Sequence, residues 1–165
     1  MKQEFYDRLA APFEASERKK NCLLRVNHIL TDVVYLIYPA LLLYLVVCRD
    51  SRFWRVLLVP AVTFVLVSLF RKKFNAPRSY EKWQVKPLIP KDTKGNSFPS
   101  RHVFSIFVIG TTIAWQCMWA AVIVWALGIV LAVTRVAGGV HFPKDVIAGM
   151  CIGIILGAAC RFFLY

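Results

Sequence analysis

Five runs of apolar residues dominate this chain, at about 23–47, 53–70, 101–116, 119–134 and 146–163. A helix rises about 1.5 Å per residue, so ~20 apolar residues suffice to cross a hydrocarbon core about 30 Å thick. Within lipid the backbone N–H and C=O groups find no water, so runs of this kind fold as helices that satisfy their own hydrogen bonds. Composition agrees: 58% of the 165 residues are hydrophobic, well above the share in a soluble domain. The expected fold class is all-α, an integral membrane helical bundle of about five transmembrane helices plus an N-terminal interfacial helix. Two units are expected, an N-terminal interfacial segment over 1–22 and a membrane domain over 23–165.

The first segment does not read as a cleaved signal, because Glu4, Asp7, Glu14 and Glu17 mix with Lys2, Arg8, Arg18, Lys19 and Lys20. Phe5, Leu9 and Phe13 recur every four residues, the pattern of a helix lying at the membrane interface. Pro12 is expected to break or kink that helix, which leaves a frayed, solvated tail as the other reading. The five cysteines, Cys22, Cys48, Cys117, Cys151 and Cys160, show no metal-ligand spacing and read as small buried hydrophobes. Gly149, Gly153 and Gly157 recur every four residues in the last run, the pattern of a small-residue face for close helix packing.

The net charge is +12, yet after residue 100 the only charged residues are Arg101, Arg135, Lys144, Asp145 and Arg161. The rest of the basic surplus lies largely in the first segment and the loop over 71–97, beside membrane and phosphate headgroups rather than nucleic acid. Ionisable groups next to membrane-length apolar runs are costly, and so mark function. They fall in three clusters: Arg71 and Arg78; Ser100, Arg101 and His102; and Arg135, His141 and Asp145. Counting spans brings all three to one side of the membrane. The 71–97 loop joins the second span to the third, a tight turn on the opposite face joins third to fourth, and the Gly138-Gly139 segment returns to the first face.

These clusters assemble arginines, a hydroxyl, two histidines and one carboxylate. Arginine offers planar, multiply donating contacts to phosphate oxygens, and a helix starting at Ser100–Arg101 adds backbone N–H groups and a favourable dipole. Asp145, four residues after His141, is placed to hold one imidazole nitrogen and leave the other free to attack phosphorus. His102 is then the general acid for the leaving group. His28 and Asp32, also four apart, read as a structural hydrogen-bonded pair in the first span.

Three sequence segments carry a resemblance: Arg71-x6-Arg78-Ser79, then Pro99-Ser100-Arg101-His102, then Thr134-Arg135-x5-His141-x3-Asp145. In order and spacing they resemble the tripartite signature of the type 2 phosphatidic acid phosphatase superfamily, K-x6-RP, PSGH and SR-x5-H-x3-D, over roughly residues 50–165. The resemblance implies phosphate binding by Arg71, Arg78, Ser100 and Arg135, with Arg101 as an added cation. It further implies leaving-group protonation by His102, a phosphohistidine at His141 oriented by Asp145, and no metal or other cofactor. Ser79, Arg101 and Thr134 depart from the pattern, standing for proline, glycine and serine. The Arg101 change suggests a doubly charged or pyrophosphate substrate.

The function expected is hydrolysis of a phosphomonoester or pyrophosphate on a membrane lipid, such as phosphatidic acid, phosphatidylglycerol phosphate or an isoprenyl diphosphate. Similarity to bacterial members implies a cytoplasmic (plasma) membrane protein with its site on the extracytoplasmic face. A lipid phosphotransferase and a non-catalytic membrane lipid-binding protein are the alternatives. A soluble vanadium haloperoxidase has similar anion-binding motifs, but the apolar spans argue against one.

Overall fold

The computed structural model describes residues 3–83 and 86–163, without the side chains of 3, 5 and 160–163. The described residues form helices α1 (Gln3–Glu14), α2 (Glu17–Val47), α3 (Phe53–Phe74), α4 (Ser79–Trp83), α5 (Arg101–Ala114), α6 (Met118–Ala137) and α7 (Pro143–Phe163). The chain is an all-helical membrane bundle. Helix α2, a segment beginning with α3, and α6 are long and apolar enough to cross a bilayer. Large apolar side chains such as Leu36, Val47, Trp119 and Ile155 point outward, as a surface facing lipid requires.

Helix α5 is the axis of the bundle. Every residue from Ile106 to Ile113 is buried, and α3, α6 and α7 pack around it. With 14 residues it is about 21 Å long, shorter than the hydrocarbon core. Its N-cap, Ser100, is fully buried, while Arg101 at the first helical position is exposed.

Close packing of α5 on α7 comes from the expected glycine face. A Cβ added at Gly149 would lie 2.7 Å from the Ser100 carbonyl oxygen, one at Gly153 2.8 Å from that of Phe104, and one at Gly157 2.7 Å from Thr111 Cβ. Only hydrogens fit there, so the two backbones touch along three successive turns. The same approach lets the Ser100 N–H donate to the Asp145 carbonyl at 2.8 Å. The turn between α5 and α6 falls at Trp115–Cys117, with Trp115 and Trp119 exposed beside it, as expected of residues at a membrane boundary.

Several expectations are corrected. The N-terminal segment is no frayed tail. Helix α1 continues through Pro12, and Tyr6 and Ala10 are buried beneath it. Docking of this face offsets the ~3 kcal/mol that proline costs a helix interior. Leu9 and Phe13 pack inward with them, whereas the side chain of Phe5 lies outside the described residues. The helix break comes at Ala15–Ser16, and residues 17–22 form the first turns of α2.

Cys22, Cys48, Cys117 and Cys151 are free and exposed, not buried, because each sits on an outward face where lipid or solvent replaces protein contacts. The Cys160 side chain is outside the described residues. His28 and Asp32 are both exposed, with no hydrogen bond or ion pair between them; the residues one position earlier, Asn27 and Thr31, face inward instead.

The glycine contacts predict that Gly153→Leu, which forces a side chain into backbone on α5, lowers unfolding stability in detergent by about 1–3 kcal/mol. Ile155→Leu, on the outward face of the same helix, is expected to leave the melting temperature within a degree or two of wild type.

Candidate active site

The end of α3, the start of α5, the α6–α7 turn and the start of α2 lie at one end of the bundle, as span counting predicted. Helix α3 ends at Asn75, a left-handed residue at φ 43°. The chain then folds back on itself: Ser97 N–H donates to the Ala76 carbonyl at 2.9 Å, and Ile89 N–H to the Gly138 carbonyl at 3.1 Å. Glu81 accepts from the N–H groups of Arg78 at 2.7 Å and Gly95 at 2.9 Å. The loop after α3 is thereby held against the α6–α7 turn.

That turn needs Gly139, whose φ of +74° suits a residue without a Cβ; any Cβ there would also lie 2.3 Å from the Tyr6 hydroxyl. The Gly139 carbonyl accepts from Ser79 Oγ at 2.7 Å. Rings complete the support. Tyr6 of α1 packs on Trp83 of α4 at 5.5 Å between centroids, and Trp83 meets Phe142 edge-on at 4.9 Å.

His141 and Asp145 are buried together, 3% and 1% exposed. Their direct approach, Nδ1 to Oδ2, is long at 3.5 Å. Ser97 sits between them, with Oγ 2.5 Å from Asp145 Oδ2 and 3.3 Å from His141 Nδ1. A hydroxyl has one proton. Because Ser97 donates it to the carboxylate, its oxygen accepts from His141 Nδ1–H. The imidazole is therefore fixed with its proton on Nδ1 and a bare lone pair on Nε2. Phe142 N–H adds a second donor to Oδ2 at 3.1 Å. Sequence reasoning missed Ser97; its position three residues before Ser100 was the available signal, but a lone serine in a polar loop does not stand out.

Of the four arginines expected at the site, Arg71, Arg78 and Arg135 are buried. Arg71 donates through Nη1 to the Pro99 carbonyl and, at 3.3 Å, that of Ser97, and through Nη2 to that of Asn96. Its guanidinium thus clamps the loop that leads into α5. Arg78 Nε donates to the Gly95 carbonyl at 3.0 Å. Arg135 Nη2 donates to Thr31 Oγ1 on α2 at 3.1 Å, and its Nε has no partner. Thr31 is a second residue that the sequence reading passed over, in favour of Asp32.

Ser100 is the N-cap of α5, but its hydroxyl makes no capping bond and is buried without a partner. The first N–H groups of a helix have no intrahelical acceptors. Ser100 Oγ and Arg135 Nε are therefore buried donors without a partner, beside the free N–H groups of the first turn of α5. Arg101 stands apart from the buried group. It is exposed, with its guanidinium 5.3 Å above the Phe64 ring centroid. Half-buried Lys91 belongs to the same electrostatic group: burial, then Arg78, Arg135, Arg101 and Arg71, push its ammonium pKa down. Burial likewise lowers that of Arg78, against the pull of Tyr80, Glu81 and Asp145.

Burial drives the His141 pKa down to about 4, with Arg78 and Arg71 adding to the shift and the Asp145 hydrogen bond opposing it. The ring is neutral at pH 7, the state a nitrogen nucleophile requires.

A buried histidine–carboxylate pair, with unpaired side-chain donors beside it, thus lies at one end of a membrane helix bundle. The chain belongs to the PAP2 superfamily, which it matches over residues 52–164. It is 36% identical over 61 residues to YbjG of Escherichia coli (strain K12), whose name gives it provisionally as an undecaprenyl-diphosphatase. That match covers 36% of this chain and spans about a third of the relative, 31% of its length.

Among solved structures it resembles Aquifex aeolicus LpxE, with a TM-score of 0.76, 25% identity and coverage of 96% of this chain and 93% of that one. It also shares the fold of the transmembrane PAP2 type phosphatidylglycerolphosphate phosphatase from Bacillus subtilis. There the TM-score is 0.64, at 21% identity over 96% and 92% of the two chains.

The depressed His141 pKa has a consequence for stability. The unfolded chain, with an ordinary histidine near 6.5, takes up a proton that the folded chain refuses until about pH 4. Stability is expected to rise with pH across that window and to fall as pH drops from about 6.5 towards 4. The melting temperature of wild type in detergent should drop more between pH 7 and pH 5 than that of His141→Asn.

Proposed function

We propose that the chain is a lipid phosphatase, hydrolysing a phosphomonoester or pyrophosphate on a membrane lipid through a phosphohistidine at His141, without a metal ion. The observation that carries this reading is the Ser97-bridged His141–Asp145 pair, with a bare Nε2 beside phosphate donors that have no partner. Nε2 attacks phosphorus as the bond to the leaving oxygen breaks, and His102 gives that oxygen its proton. Water then attacks phosphorus, His102 accepts the water's proton, the P–N bond breaks, and inorganic phosphate leaves.

Arg78, Arg135, Ser100 and the first amides of α5 hold the phosphoryl oxygens. Arg71 supports the site through the loop it clamps, and Asp145 stabilises the imidazole as it gains positive charge. Because these donors are fixed before substrate arrives, they do not reorganise as charge develops. The arginines supply the cationic field that a divalent ion provides in metal-dependent phosphatases.

The name of YbjG supports a polyprenyl diphosphate as one substrate to test. Family membership supports the extracytoplasmic face of the plasma membrane as the location of the site. Of the basic residues of the 71–97 loop, Arg71, Arg78 and Lys91 are buried or half-buried, whereas Lys72, Lys73, Lys82, Lys86 and Lys94 are exposed, and that exposed charge favours the cytoplasmic face instead. Cys48 and Cys117, exposed at the opposite end of the bundle, report orientation directly. A membrane-impermeant maleimide on intact spheroplasts is expected to leave both unlabelled, and labelling before lysis would invert the assignment.

Purified protein is expected to release phosphate from lipid phosphates in the presence of EDTA and to be inhibited by vanadate. His141→Ala should abolish release, and His102→Ala should reduce it about 10²–10⁴-fold. Acid-labile label from a ³²P-phosphorylated substrate, trapped on wild type but not on His141→Ala, tests the intermediate. Full turnover by His141→Ala would remove the proposed nucleophile.

A further inference from the structure

Two cavities meet on the membrane side of the site. The upper one, about 70 Å³, is lined by Thr31 and Tyr35 of α2, Phe64 of α3, Arg101 and His102 of α5, and Leu131 of α6. The lower one, about 280 Å³, lies against Tyr38, Pro39, Pro60, Ala61, Val108 and Ile109. Val34, Tyr35, Phe64 and Ser105 line both, so the two form one groove between α2, α3 and α5. Its mouth is a pair of exposed aromatic rings, Tyr35 at 67% and Phe64 at 39% exposure, facing the bilayer. Arg101, stacked over Phe64, sits where a charged headgroup gives way to an apolar chain.

The lower end is closed by hydrogen bonding. Pro60 has no N–H, so the carbonyl of Val56, four residues earlier, lacks its helical partner. The Tyr38 hydroxyl donates to the Val56 and Leu57 carbonyls at 3.1 Å each, which pins its ring across the groove from α2 to α3. From Thr31 to Pro39 on α2 is about 12 Å, and from His102 to Ile109 on α5 about 10 Å. An extended chain advances about 1.2 Å per bond, as the ~3.6 Å per three-bond residue of a polypeptide gives. The groove thus has length for about ten carbons. Its volume lies at the small end of the ~300–1,000 Å³ usual for ligand pockets, which suits one chain.

We propose that this groove holds a single hydrocarbon chain of the substrate, reading the first ten or so carbons beyond the phosphate and ending at Tyr38. This rests on the phosphatase reading above, because the groove is assigned by its continuity with His102 and Arg101. Carbons beyond Tyr38 leave the protein and lie in the bilayer. The enzyme accordingly measures the near end of its lipid and ignores the remainder.

The test is a ladder of n-alkyl phosphates and n-alkyl diphosphates with 4 to 16 carbons, assayed below their aggregation limit at fixed detergent. The expected kcat/KM rises at least about tenfold between four and ten carbons, from burial of methylenes, and is flat beyond about ten. Ala61→Trp, which fills the lower cavity from the lipid side, should cut the ten-to-four-carbon ratio to near unity. Ile123→Trp, on the outward face of α6, should keep the wild-type ratio. A flat ladder in wild type, or an unchanged ratio in Ala61→Trp, overturns the groove while leaving the phosphatase reading intact. Absence of phosphate release at every length overturns the phosphatase reading itself, and the groove assignment falls with it.

Discussion

Contact between α5 and α7 at Gly149 is the constraint on which the site depends. With no side chain at that position, the α7 backbone lies against the Ser100 carbonyl, and the Asp145 carbonyl reaches the Ser100 N–H. The carboxylate at the start of one helix and the N-terminal donors of another are thus fixed by main chain, not by flexible side chains. In a bilayer no hydrophobic force drives helices together, so close van der Waals packing is what sets their separation. The geometry at Asp145 and Ser100 inherits its precision from glycines one, two and three turns along α7.

Around that contact the polar groups form a sequence of supports. Arg71 grips the carbonyls of the loop entering α5, Glu81 ties that loop to the residues after α3, and Ser97, delivered by the same loop, fixes the tautomer of His141. Two kinds of arginine result. Arg71 is held by backbone acceptors, whereas Arg78 and Arg135 keep donors in reserve. A buried cation without full compensation is costly, and in the proposed mechanism the phosphoryl group is the partner that offsets it.

Much of this was legible in the sequence because it rests on periodicity and counting. Apolar run lengths gave the helices, parity brought the three polar clusters to one membrane face, and four-residue glycine spacing marked the α5–α7 seam. What was not legible depended on contacts between segments distant in sequence. Ser97 acquires a role only through Asp145, which lies 48 residues later. Thr31 matters only because Arg135 comes to rest beside it, and without that contact the exposed pair His28 and Asp32 looked the better candidate. Pro12 misled for a related reason: local propensity argues against a helix, while Tyr6 and Ala10 dock it from outside.

The docking of α1 also bears on the order in which the protein is assembled. Tyr6 leaves the ribosome about 130 residues ahead of Gly139, which is among its packing partners. Chains fold from the N-terminus as they are made, but this helix has no complete surface to dock on until the α6–α7 turn has been inserted. Its docking therefore follows the synthesis of α2 to α6. Closure of the ring stack from Tyr6 through Trp83 to Phe142 then coincides with completion of the His141 turn, late in the order of synthesis and just ahead of α7.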